Sequence, residues 1–128
     1  MSCEARKTGQ PPPQGDLRVR TRDYALRILR LYGALPKQTQ AQVLGKQVLR
    51  SGTSVGAQYR EATRSRSPAE FISKMEGALQ ELEETAYWLE LLGEGKVFPE
   101  SRLAALRAET NELIAIFVAS VKTVKART

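Results

Sequence analysis

QVLRSGTSVGAQYREATRSRSPAEFISKMEGALQELEE, residues 47–84, decides the fold. At its centre stands Ser67-Pro68-Ala69-Glu70, a helix start in four residues. Ser67 can cap free amides, Pro68 suits the first helical position, and Glu70 can complete a capping box. From there Phe71, Met75, Ala78, Leu82, Ala86 (or Thr85) and Leu89 repeat at heptad-like spacing up to Leu92, where Gly93-Glu94-Gly95 stops the helix. Upstream, Leu44, Val48, Ser51, Val55, Tyr59 and Ala62 fall on one side of a second helix, expected over residues 39–63. Gly45, Gly52 and Gly56 lie inside it, each costing about 1 kcal/mol relative to alanine. Such repeated penalties predict that a neighbouring helix comes close to this backbone. The alternative is a break at Ser51-Gly52-Thr53-Ser54.

Outward from this pair the pattern stays helical. A first helix is expected from between Asp16 and Arg22 to Ala34, with Tyr24, Ile28, Leu29, Leu31 and Tyr32 (and Leu35 beyond it) as its apolar positions. Gly33 and Pro36 close it. A fourth helix should run from Pro99 to about Lys125 on Leu103, Leu106, Leu113, Phe117, Val121 and Val124. Ile114, Ile116 and Val118 widen that face, which predicts self-association there, with Trp88 as a further boundary residue. Trp88 and its neighbour Tyr87 point in different directions, so one should be core and the other a boundary or a stacking platform. Four helices with short links make an all-α, up-down-up-down antiparallel bundle over residues 16–126. Residues 1–15, with Gly9, Pro11, Pro12, Pro13 and Gly15, read as a disordered tail.

Composition narrows the function. The chain has 128 residues, 41% hydrophobic and 27% charged, which fits one globular domain. It has no histidine, so the commonest general base and the Glu-x-x-His pairs of a di-iron bundle are missing. A single cysteine, Cys3, excludes internal disulfides and thiolate cages. No signal-peptide pattern and no membrane-length apolar run occurs. The expectation is a cytoplasmic protein without catalytic function, cofactor or metal.

The formal net charge of +6 is unevenly spread. Residues 23–66 carry +6 and residues 67–100 carry −6. On helix two, Lys46, Arg50, Arg60 and Arg64 share the side opposite the apolar stripe, Arg66 follows at the turn, and helix one adds Arg27 and Arg30. Arginine arrays suit phosphate oxygens, because the guanidinium is always charged and can bind in a bidentate manner. These seven residues are the candidate nucleic-acid site. The competing reading is a solvated face paired with the acidic third helix.

Residues 47–84 also resemble a family. The matching residues are Arg50-Ser51, Ser54-Val55, Glu61, Arg64, Ser67, Glu70-Phe71 and Gly77-Ala78-Leu79-Gln80-Glu81-Leu82-Glu83. The pattern is similar to the bacterial four-helix-bundle proteins encoded by intervening sequences of 23S ribosomal RNA genes, relatives of the accessory protein of diversity-generating retroelements. Gln58 and Ala62 depart from that pattern, which has Asn and Gly there. The resemblance implies a homopentameric barrel with a basic surface and no enzymatic activity. In the retroelement relatives the surface binds nucleic acid and a reverse transcriptase. Arg50 and Arg64 are the basic positions that carry over. A structural or adaptor protein engaging a protein partner is the alternative function.

Overall fold

Four helices follow one another along the chain: α1 (Gln14–Ala34), α2 (Thr39–Thr63), α3 (Pro68–Glu94) and α4 (Glu100–Arg127). The structure is a computed structural model that describes residues 14–128, with side chains from Leu17 onward. Of the expected tail, Gln14 and Gly15 already belong to α1, and residues 1–13, Cys3 included, lie outside the described residues.

The direction of each helix follows from its contacts. Gly45, Gly52 and Gly56 of α2 meet Leu35, Ile28 and Thr21 in turn, so α2 runs back along α1. Ser51 meets Thr85 and Glu61 meets Lys74, which sets α3 antiparallel to α2. Gly93 lies against Glu100 while Glu76 pairs with Lys125, setting α4 antiparallel to α3. The bundle is therefore up-down-up-down. Its core holds Tyr24, Ile28, Val48, Val55, Tyr59, Met75, Leu82, Leu89, Leu103, Leu113 and Phe117, with Tyr59 set edge-on to Phe117 at 5.9 Å.

α2 is unbroken. Its hydroxyl residues turn back onto their own helix instead of competing with it: Ser51 donates to the Gln47 carbonyl at 2.9 Å, Thr53 to Leu49 at 2.7 Å and Ser54 to Arg50 at 2.7 Å. The glycines have the expected cause. A β-carbon on Gly45 would stand 2.5 Å from Leu35 Cδ1, and one on Gly52 would stand 2.7 Å from Ile28 Cγ1. Without side chains at these positions, α1 settles directly onto the α2 backbone.

Helix α3 begins as its sequence predicts, with one change. Ser67 Oγ accepts from the Glu70 amide at 3.1 Å, but Glu70 Oε1 accepts from the Arg66 amide, one residue earlier than in a capping box. The end differs more. Gly93 and Glu94 remain helical, and the left-handed residue is Lys96, at φ 58°. That conformation costs a residue with a β-carbon about 1–2 kcal/mol. Lys96→Gly is expected to raise stability by about 1 kcal/mol and the melting temperature by roughly 3–5 °C, read by circular dichroism.

One residue from each helix joins a polar layer at mid-bundle. The Tyr24 hydroxyl lies 2.7 Å from Thr110 Oγ1, and Ser51 Oγ lies 2.6 Å from Thr85 Oγ1. Thr110 donates to the Leu106 carbonyl, so Tyr24 is the donor to Thr110. Burial pushes the Tyr24 pKa up to about 12, which keeps that donor proton in place. Buried hydroxyls satisfied in pairs penalise any register that separates them.

Candidate nucleic-acid interface

Most of the sequence-predicted basic residues gather on the outer face of α2. Lys46, Arg50 and Arg64 are exposed there, Arg60 is half-exposed, and Arg66 is exposed in the turn to α3. The apolar stripe at 180° is sealed in the core, so this face has nowhere to point but outward.

The structure divides the stripe by partner. Arg50 reaches across to α3, where Nη2 donates to Glu84 Oε1 at 2.8 Å and Nη1 to Glu81 Oε1 at 3.3 Å. For Arg50, then, pairing with the acidic third helix is the observed state. Arg60, Arg64 and Arg66 behave differently. They line an open groove of about 690 Å³ with Ala57, Glu61, Glu70 and Lys74. Both carboxylates of this groove bond to partners other than the three guanidinium groups: Glu61 Oε1 accepts from Lys74 Nζ at 2.8 Å, and Glu70 accepts from the Arg66 amide. That hydrogen bond to Glu61 raises the Lys74 pKa above its ordinary value. The guanidinium groups of Arg60, Arg64 and Arg66 have no ion pair among the described residues. Their donors are free to meet a polyanion.

Arg27 and Arg30 do not join this surface. They sit on the opposite edge of α1, at its seam with α4, beside Arg102. Arg20, in the same basic run of α1, is structural: it donates to Glu109 through Nε at 2.7 Å and Nη2 at 2.8 Å, and also pairs with Glu112.

The four residues expected at a subunit boundary do not form one patch. Ile114 and Val118 share an α4 edge with Glu100 and Lys125, both of which touch α3. Ile116 lies on the other edge, toward α1, near Glu109 and Glu112. Trp88 follows Gly77, Glu81 and Glu84 along the α3 edge that meets α2. All four are half-buried, and Ile114, Ile116 and Trp88 pack against this chain's own core. The exposed apolar side chains are instead Val19, Leu26 and Leu29 on α1, Val43 on α2, and Tyr87 beside Trp88. Leu29, expected among the core positions of α1, is half exposed, because the α2 backbone meets α1 on the Thr21-Ile28-Leu35 side. A spacing of seven between Val19 and Leu26 was the available signal for this outer row.

A family model described as 23S rRNA-intervening sequence protein matches residues 16–119. The chain belongs to this family. The 23S rRNA-intervening sequence protein match spans all of α2 and α3 and most of α1 and α4. A similar solved structure is the crystal structure of a protein of unknown function from the S23 ribosomal protein family of Bacteroides thetaiotaomicron VPI-5482. It is 35% identical over 85% of this chain and 97% of that one, with a TM-score of 0.79. No curated protein matches the chain significantly. Among the described residues of this intervening-sequence protein, no three His, Cys, Asp or Glu residues come together as a metal site, and no helix is long and apolar enough to cross a membrane.

Proposed function

We propose that the protein binds nucleic acid without catalysis, through the outer face of α2 and its turn into α3, with Arg60, Arg64 and Arg66 as the principal phosphate contacts and Lys46 extending the track. What supports this reading is the groove lined by Arg60, Arg64 and Arg66, none of them ion-paired among the described residues, while Glu61 and Glu70 bond to other partners. Exposed arginines without ion pairs are suited to phosphate, and their contacts give affinity without base specificity. The family name carries a ribosomal-RNA context, so RNA is the first probe to use. Filter binding of single-stranded RNA and of duplex DNA at two salt concentrations tests the proposal. Tight binding that weakens steeply with salt supports it, and absence of binding at low salt overturns it.

Arg50 makes a graded test. Replacing Glu84 by glutamine loosens the bridge to α3 and removes a negative charge beside the stripe. RNA affinity is expected to rise about twofold to fivefold, in line with the small worth of an exposed ion pair.

The assembly proposed with this function is the homopentamer that the resemblance implies, in a cytoplasmic setting. It would repeat the basic face around a ring and multiply its potential. The outer row of Val19, Leu26 and Leu29 offers apolar area for the contact. An adaptor role is the second reading, with a protein such as a reverse transcriptase on that same row. Light scattering after gel filtration separates them: a monomer would rule out the ring and leave the row to another protein.

A further inference from the structure

Side chains join α1 and α4 at Tyr24–Thr110 and Arg20–Glu109, and toward the end of α1 the seam holds a cleft of about 280 Å³. Its floor is apolar and almost closed to solvent: Leu31, Phe98 and Leu106 are 8%, 6% and 6% exposed. Its rim is cationic, formed by Arg27, Arg30 and Arg102. The Arg102 guanidinium lies 4.8 Å from the centroid of the Phe98 ring, which restrains it while leaving its N–H edge available.

No carboxylate neutralises this rim. Glu109 and Glu112 are taken by Arg20, Glu100 by Arg107 and Asp23 by Arg22, and none of the three rim arginines has an ion pair among the described residues. Three positive charges suit a dianion better than a single-charged phosphodiester, and the Arg102 guanidinium held over Phe98 offers a flat face to a ring attached to it.

We propose that the α1–α4 cleft is a second anion site, which takes a phosphomonoester carried next to a planar ring, as in a nucleoside monophosphate. The ring lies on the outer side of the Arg102 guanidinium, which itself covers the Phe98 ring, and the phosphate accepts from Arg27, Arg30 and the N–H edge of Arg102. Such a group comes either from a free nucleotide or from the 5′-phosphorylated end of a strand. The site is separate from the α2 groove and stands or falls independently of it.

Calorimetric titration with AMP, adenosine and inorganic phosphate tests the site on the whole chain. AMP is expected to bind at least about tenfold more tightly than either fragment, and Arg30→Ala with Arg102→Ala to weaken AMP by about tenfold or more. Both side chains are exposed, so an unchanged helical spectrum is expected for the variant. A short oligonucleotide with a 5′-phosphate, compared with its 5′-hydroxyl form, identifies the source. A tenfold preference for the phosphate that the double variant abolishes assigns the site to strand ends, whereas AMP binding without that preference assigns it to free nucleotide. No AMP binding together with no 5′-phosphate preference, or AMP binding equal in the double variant, overturns the proposal.

Discussion

Gly52→Val is expected to destabilise the bundle by about 3 kcal/mol and lower its melting temperature by roughly 10 °C. A β-carbon at this position would stand 2.7, 2.8 and 3.1 Å from the Cγ1, Cδ1 and Cγ2 atoms of Ile28. Ile28 is fully buried, so it has no free space into which to turn. The helices must separate, and the gain of about 1 kcal/mol from losing a helical glycine is too small to offset that. Gly33 gives the matched control. Nothing lies within 4 Å of its added β-carbon, so Gly33→Ala should stabilise α1 by about 1 kcal/mol. Thermal melts followed by circular dichroism decide both. A Gly52→Val protein melting within a degree or two of the parent would mean that α1 does not rest on the α2 backbone.

This contact was legible before the structure, because three glycines in one helix conflict with helix propensity and so demand a cause. The bounds of α2, the start of α3 and the antiparallel order were legible for similar reasons: caps, prolines and apolar period act over a few residues. What the sequence left open depends on which edge of a helix meets which neighbour. Periodicity grouped Leu29 with Ile28 and Leu31, and only the α2 contact shows that Leu29 faces outward. Ile114, Ile116 and Val118 read as one broad face, yet they flank the buried stripe on both sides. Arg27 and Arg30 were grouped with the α2 stripe by charge alone, and the packing of α1 between α2 and α4 separates them. Thr110 and Thr85 show the same limit: a hydroxyl at a core position has no visible partner until another helix brings one. At the end of α3 the glycines suggested the stop, while Lys96 takes the left-handed turn.

The second large effect concerns the groove. Replacing Arg60 and Arg64 together by alanine is expected to weaken RNA binding by about tenfold or more at moderate salt, since each loses charge-assisted bonds to phosphate. The folded state should be little changed, because neither guanidinium has an ion pair among the described residues. Net charge alone would also weaken binding, so the control must carry the same change. Arg107→Ala with Lys125→Ala removes two positive charges that are paired with Glu100 and Glu76, away from α2. That protein should keep most of its affinity. Position on the molecule, and not the total of +6, is then what the comparison reports.

The salt dependence of RNA filter binding, taken side by side for the parent and the Arg60→Ala, Arg64→Ala protein, tests the central claim most directly. If these arginines contact phosphates, the slope of log affinity against log salt should be shallower in the variant by about 1.4 for single-stranded RNA. Superimposable slopes and affinities would contradict the assignment of nucleic-acid binding to this face.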